Sequence, residues 1–367
     1  MIGIFKLKNY LKNLLIVRFI LSFKVLSDII QIEADRIITN HKGSVKQMHT
    51  IKEYYSDSNK RYHTWNFHLR RTFGSKVFKV PLNAGFTCPN IDGTKGIGGC
   101  SFCSSKGSGD FAGNVKEPLR IQFDNIREKM HQKWPNAKYI VYFQANTNTY
   151  ASLEVLRQYF EEALSYPNVV GLSIATRADC ISEEIADYLT GLSKRTYLIV
   201  ELGLQSIFDQ TGERVNRCHT YQEFLHGYHM LQSRNINVCI HLINGLPGET
   251  VQMMTESVRA VAKLHPHSVK LHLLHVLKGT RIAREYERGE FQLMDLSEYV
   301  SLICDQLELL PAETVIQRVT GDGGKDELIG PKWSLKKFVV MNEIDKEMKR
   351  RNSFQGINNG PYARNGD

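Results

Sequence analysis

The sequence predicts an α/β fold, a partial parallel (β/α)6 TIM-like barrel with an extension at either end, on three observations. Short Val/Ile/Leu-rich runs alternate with longer amphipathic stretches from residue 76 onward. The runs end in polar residues that a core would not want. Directly after the first run, three of the seven cysteines fall within sixteen positions.

The runs are "KVFKVPLN" (76–83), "YIVYFQ" (139–144), "VVGLSIAT" (169–176), "TYLIVELGLQ" (196–205), "INVCIHLIN" (236–244) and "SVKLHLLHVL" (268–277). Their near-continuous apolar character suits strands of a parallel sheet covered on both faces. Helical stretches separate them at 118–134, 152–165, 182–194, 220–234 and 249–264. Ser182 with Glu184, and Thr220 with Glu223, put a hydroxyl at the N-cap and an acid in the first turn. Repeated β/α units imply right-handed crossovers in one sheet. Six is fewer than the eight of a closed barrel, so the array is expected to stay laterally open, with its chemistry at the carboxyl ends of the strands. Residues 281–310 add two helical stretches, and "GDGGKDELIGPKW" (321–333) reads as a turn-rich connector to a polar C-terminal tail. The expected divisions are an N-terminal extension over 1–47, a core with a basic and aromatic lead-in over 48–280, and a helical C-terminal extension over 281–367.

Composition narrows the class. Hydrophobic content of 42% and charged content of 23% describe a globular protein with a sizeable core. The net charge of +9 is unevenly placed: residues 1–47 hold eight Lys/Arg against three Asp/Glu, so more than half of the excess precedes the β/α array. That first segment has no apolar run approaching the roughly 20 residues of a membrane span. It is expected to be dispensable and not to insert stably in a membrane. The cysteines show no paired spacing and no secretory cleavage pattern is visible, which fits a reducing cytoplasm. Cys180, Cys218, Cys239 and Cys304 stand alone and are expected to be small buried apolar residues.

The strand ends supply the candidate site. They carry Asn83; Gln144, Asn146 and Asn148; Arg177 and Asp179; Glu201 and Gln205; then "HLINGLPGE" and "LHVLKGT". Polar ends on successive strands imply a shared cavity. The cysteine loop, "CPNIDGTKGIGGCSFC" (88–103), poses a question of ligand number. Structural zinc closes its tetrahedron with four protein ligands, and an ordinary ferredoxin cluster takes four thiolates. This loop holds three cysteines and no histidine. A zinc site completed by a distant histidine is one reading; a cluster left with an open iron is the other.

A cysteine loop after the first strand of such an array resembles the radical S-adenosylmethionine (radical SAM) enzymes. In that superfamily three cysteines hold a 4Fe–4S cluster, and the iron without a protein ligand binds the methionine end of SAM. Reductive cleavage of SAM then gives a 5′-deoxyadenosyl radical that takes hydrogen from substrate. The eleven residues between Cys88 and Cys100 depart from the commonest spacing of three. That enlarged gap resembles the catalytic subunit of eukaryotic Elongator. "KRYHTWNFHLRRTFG", "KVPLNAGFTCPNIDGT", "GGCSFC", "YFQANTNTYA", "ATRADC", "ELGLQS", "HLINGLPGE", "HVLKGT" and "QRVTGD" together resemble the bacterial YhcC/YtqA-type radical SAM family across about residues 48–350. The resemblance implies Cys88, Cys100 and Cys103 as cluster ligands, and Gln144, Ala145 and Asn146 near the methionine of SAM. It puts Glu201, with Gln205 on the same strand, near the ribose, and Gly245 to Glu249 near adenine. Arg177 and Asp179 are candidate catalytic groups whose partner is substrate, SAM or each other. A reductant such as flavodoxin or ferredoxin is implied as well.

The substrate reading starts from residues 59–91, which hold Lys60, Arg61, Arg70, Arg71, Lys76 and Lys79 but no acid, interleaved with Tyr62, Trp65, Phe67 and Phe73. This mixture suits RNA, with cations for phosphates and rings for stacking; it also suits a solvated helix face over core aromatics. "GPKWSLKKF" repeats it. The resemblance implies tRNA as partner: YtqA-type members are associated with converting carboxymethylaminomethyl-(thio)uridine at the wobble position to its aminomethyl form. A small metabolite or a protein substrate, and a non-catalytic metal-binding protein, are the alternatives. His63 and His68 are expected to pack or hydrogen-bond locally rather than bind metal, His272 and His275 are open between packing and metal binding, and "GDGGK" reads as a turn because no Ser/Thr completes a P-loop.

Overall fold

A computed structural model describes residues 60–109, 111–321 and 323–359; the expected extension over 1–47 lies outside the described residues. All six predicted runs form strands: β1 Val77–Leu82, β2 Lys138–Phe143, β3 Val169–Thr176, β4 Tyr197–Gln205, β5 Asn237–Asn244 and β6 Ser268–Leu273. They pair in chain order and every pairing is parallel. Each crossover therefore steps one strand along in the same direction, and the twisted sheet curls into an open half-barrel.

The crossover helices fall where the apolar periodicity puts them. After α1 Trp65–Phe73, which precedes β1, they are α2 Leu119–His131, α3 Leu153–Leu164, α4 Glu183–Ser193, a short α5 Asp209–Arg214, α6 Tyr221–Gln232 and α7 Val251–Lys263. Ser182 caps α4 by accepting the Ile185 N–H, and Thr220 with Glu223 forms a reciprocal capping box on α6. Leu156, Phe160, Leu189, Leu192, Phe224 and Val258 are fully buried against the outer face of the sheet.

Three expectations change. The sixth run was expected to continue to residue 277, but the strand stops at Leu273 because β5 ends at Asn244, whose carbonyl takes the last rung from the Leu274 N–H at 2.8 Å. The next residues, β7 Val276–Leu277, turn away and pair antiparallel with β9 Leu328–Gly330. After α8 Arg281–Glu287 and α9 Leu296–Leu309, a seventh strand, β8 Val315–Arg318, joins the sheet beside β6. Four residues are too few for period-two alternation to announce it. The tail expected to be polar forms α10 Lys337–Arg350, which buries Val340, Ile344 and Met348, a stripe at four-residue spacing hidden among charges.

The lead-in closes on the far edge of the half-barrel. Thr64 bridges Ile316 of β8, whose N–H donates to the His63 carbonyl at 2.7 Å. Thr64 also caps α1 by accepting from Phe67 N–H, and Gly74 ends that helix at φ 63°. The inner face of the sheet is not apolar: period two turns Lys79, Tyr142, Ser173, Glu201, His241 and Lys270 into the half-barrel, one from each of six strands. Among the described residues no helix is long and apolar enough to cross a membrane.

Candidate active site

One cavity of about 630 Å³ runs from the cysteine loop down the inner face of the strands. Cys88, Cys100 and Cys103 all line it, with Gln144, Asn146, Arg177, Glu201 and Gln205. Ala145, Asp179, Gly245 and Glu249, also singled out from the sequence, do not.

The loop is fastened at several points. Ile91 and Asp92 N–H both donate to the Cys88 carbonyl, and Cys103 N–H to that of Cys100 at 3.1 Å. Fully buried Asn90 donates to the Asn216 carbonyl and reaches the Cys100 sulfur at 3.4 Å. Asn216 returns a bond to the Gly99 carbonyl at 2.8 Å. Gly98 and Gly99 sit at φ 80° and 74°, which side chains resist. Gly96 is needed for space: a Cβ there would lie 2.2 Å from Asn90 Oδ1 and 2.7 Å from Cys218 Sγ. Asn146, at φ 62°, donates to the Phe86 carbonyl at 2.8 Å, which ties the end of β2 to the chain entering Cys88.

Three thiols on one cavity wall form a soft donor set suited to iron–sulfur ligation, one short of the four that a closed cluster or structural zinc takes. Cys180 and Cys218 stand near this loop but do not line the cavity. They are half-buried, unlike Cys239 and Cys304, so the expectation of full burial holds only for the last two.

Arg177 and Asp179 find each other. Arg177 Nε and Nη2 donate to Asp179 Oδ1 and Oδ2 at 2.9 and 2.8 Å, and its remaining donors hold the Arg217 and Cys218 carbonyls. Lys95 of the cysteine loop also pairs with Asp179 at 2.7 Å. Burial opposes ionisation of Asp179, but hydrogen bonds and charge from Arg177 and Lys95 outweigh it and hold the carboxyl at about 2. Of the partners left open for them, substrate, SAM or each other, the structure pairs them with each other, and Lys95 ties the pair to the cysteine loop.

Glu201 lies deeper in the half-barrel. It does not stand at the end of β4 but four residues before it, ~13 Å down the strand. Its fully buried carboxylate takes Lys79, Lys270, Ser173 and His241, the last at 2.7 Å, so both of its oxygens are engaged within the protein. Gln205, at φ 64° on the strand's last residue, is the β4 side chain at the cavity mouth. Gly245 begins the loop after β5 at φ 86°, and the Glu249 carboxylate accepts from Ser206, joining that loop to the end of β4.

His219 carries no motif or periodic signal in the sequence. It lines the cavity at 8% exposure, and neither ring nitrogen has a hydrogen-bond partner among the described residues. Burial, then Arg217 and Arg177, push its pKa down to about 3, so the ring is neutral and offers a lone pair. His63 and His68 meet their expectation, bonding the Glu313 carbonyl and the Tyr197 hydroxyl. His272 lines the cavity, and among the described residues its Nε2 has no hydrogen-bond partner. Ligand atoms of Glu201, Cys239 and His241 lie within 4.8 Å of one another, but two ammonium groups already occupy that carboxylate and would repel a metal cation.

Comparison with known proteins agrees with this geometry. The radical SAM superfamily model matches residues 94–261, and the Radical_SAM C-terminal domain model matches 266–350. The Bacillus subtilis protein YtqA is 51% identical over 302 residues, covering 82% of this chain and 94% of its own.

The chain belongs to the radical SAM superfamily.

Radical SAM enzymes of this kind use a 4Fe–4S cluster and S-adenosylmethionine, and the three-thiol cavity fits that pair. More distant is the tRNA uridine(34) acetyltransferase of Methanocaldococcus infernus, 27% identical over 156 residues, 42% of this chain and 29% of that one. The solved archaeal Elp3 of the same organism, with an N-terminal deletion, shares the fold: TM-score 0.57 at 19% identity, over 77% of this chain and 64% of that one. The superfamily match begins between Cys88 and Cys100, so the first cysteine joins the site through this chain's long insert.

The basic and aromatic lead-in is mostly structural. Tyr62 and Phe67 are buried, Phe73 packs edge-on against Tyr197 at 5.3 Å, and Trp65 lines the cavity. Lys60 pairs with Asp345, and Arg61 holds the Ser353 carbonyl at 3.1 Å. Arg70 and Arg71 remain exposed.

Proposed function

We propose that this radical SAM enzyme modifies tRNA, converting carboxymethylaminomethyl-(thio)uridine at the wobble position to aminomethyl-(thio)uridine. Cys88, Cys100 and Cys103 are the cluster ligands in this reading. When bound, the cluster and SAM supply a 5′-deoxyadenosyl radical able to take a hydrogen atom from the glycyl methylene of the modified base. The chain's part is to place and shield. Gln144, Asn146 and Gln205 meet SAM at the cavity mouth, Arg177 and Asp179 brace the cysteine loop, and His219 offers a neutral acceptor beside it.

The observation that carries the reading is the cavity itself, open to three thiols at its mouth and lined below by polar groups from successive strands. Its volume matches small-molecule sites of 300–1,000 Å³ and suits SAM with an extruded base. The relative named for uridine 34 favours a wobble base as substrate. On the surface, Phe338 at 80% exposure sits among Leu335, Lys336 and Val339, a stacking and charge mixture suited to RNA.

The test is mass spectrometry of tRNA nucleosides from a strain lacking the gene, with the purified enzyme, SAM and reductant acting on its undermodified tRNA. Accumulated carboxymethylaminomethyluridine, and release of 5′-deoxyadenosine with its conversion, are expected. Wobble nucleosides identical to those of the parent strain would remove the assignment.

A further inference from the structure

Beneath the cysteine loop the half-barrel holds a charged layer that the cluster and SAM do not account for. Lys79 of β1 donates to Glu201 Oε1 and, at 2.7 Å, to Gln317 Oε1 of β8. Lys270 of β6 donates to Glu201 Oε2 and, at 3.2 Å, to the Tyr142 hydroxyl. The Tyr142 ring lies under both ammonium groups, 4.8 Å from Lys79 Nζ and 4.7 Å from Lys270 Nζ. Lys79, Tyr142, Lys270 and His272 all line the cavity shared with the three cysteines.

Among the described residues the charges in this layer do not balance. Two lysines share one carboxylate, Glu201 is the one acid among the described residues lining the cavity, and Arg318 of β8 lines it as a further basic residue. The other lining cations near the mouth, Arg177 and Arg217, are paired with Asp179 and Asp209 from outside the lining. Among the described residues each lysine uses two of its three N–H groups on the bonds above, which leaves one per ammonium for a further acceptor. Lys270 is 6% exposed; burial, with repulsion from Lys79 set against attraction to Glu201, brings its pKa down to about 8. An unneutralised cation at such a depth is costly, and a second anion would lower that cost. His272 faces the same space with an unpartnered Nε2, and its ring lies 5.2 Å from that of His241. Burial and the neighbouring cations hold its pKa well below the usual value, so the imidazole is neutral and can donate one N–H without adding repulsion.

We propose that this layer is a carboxylate subsite for the substrate, in which Lys270 and Lys79 bind the anion and His272 donates alongside. The subsite stands on the cavity's own charge and geometry. Its occupant rests on the wobble-uridine reading, under which the anion is the glycyl carboxylate of the modified base. A carboxylate held there fixes the glycyl unit below the cavity mouth, and it explains how a base carrying the glycyl group is told from one that has lost it: the product has no anion to leave between the lysines.

The experiment uses the full-length holoprotein, prepared without oxygen and saturated with SAM. Its thermal unfolding is followed against N-methylglycine and against N-methylglycine methyl ester at matched ionic strength, giving an apparent affinity for each. The acid is expected to stabilise and the ester to do so at least roughly tenfold less well. Lys270→Met removes the difference, and Lys270→Arg keeps it. If Lys270→Met does not fold, Lys79→Met reports the same loss. Equal effects of acid and ester on the parent protein, or a preference surviving both Met variants, would overturn the subsite. Turnover of the undermodified tRNA is measured on the same preparation. Acid preference without tRNA turnover sinks the wobble-uridine reading and leaves the subsite; turnover without acid preference does the reverse.

Discussion

Arg177 holds Asp179 through two parallel hydrogen bonds of 2.9 and 2.8 Å, and the same guanidinium grips the carbonyls of Arg217 and Cys218. A β3 strand end is thereby locked to the segment that backs the cysteine loop. Asp179 has its pKa lowered from 3.8 to about 2, against the pull of burial. The stability this adds is complete above the unfolded value and fades as pH falls through the folded one, a window from about pH 4 to about pH 2. Its size is about 2 kcal/mol. Acid unfolding of the parent protein and of Asp179→Asn should show it: the variant is less stable at neutral pH, and the gap closes across that window. A constant gap down to pH 2 would contradict the ion-pair account.

Gly96→Ala forces a methyl group against Asn90 Oδ1 and Cys218 Sγ, at 2.2 and 2.7 Å. Asn90 is fully buried and cannot retreat without releasing Asn216 and Cys100. The variant is expected to keep the helix and strand signal in circular dichroism while losing most of its bound iron. Full iron content would show that the loop tolerates the crowding.

Glu201→Gln removes the carboxylate shared by Lys79 and Lys270 and leaves two buried cations facing each other. A cost of about 3–5 kcal/mol in urea unfolding is expected. Lys270→Met in the same chain should recover part of it, because the second charge goes with the first. Additive losses in the double variant would mean that the two groups do not interact.

Alanine at Cys88, Cys100 or Cys103 should each abolish iron binding and SAM cleavage, read by iron analysis and 5′-deoxyadenosine release. Cys218→Ser should keep both, since its thiol does not line the cavity. Zinc in place of iron in oxygen-protected protein would exclude the cluster.

Phe338→Ala tests the surface reading. At 80% exposure the ring adds little to stability, so unfolding should move by less than about 0.5 kcal/mol. Loss of a stacking face should weaken tRNA binding by about 1 kcal/mol or more in an equilibrium assay, with SAM cleavage in the absence of tRNA unchanged.

The order of the six parallel strands was legible because each is a short apolar run, with amphipathic helices between them of which several carry an N-cap, and both signals are local. The cysteine triad was legible for the same reason: its three thiols lie within sixteen positions of one loop. Tertiary structure decided what sits inside. Which side chains face inward depends on the phase of each strand, so Lys79, Glu201 and Lys270, far apart in the chain, become one charged layer only when the sheet curls. Folding also turned two expected reacting groups, Arg177 and Asp179, toward each other, and brought His219 to the cavity from a segment with no periodic signal. Strand β8 escaped notice because its four residues gain their meaning from the edge of β6 that receives them. Local pattern fixes which segments are strands and helices, because propensity and burial periodicity act over a few residues. The pairing of charges across a half-barrel is set by distance in space, and a linear sequence does not contain it.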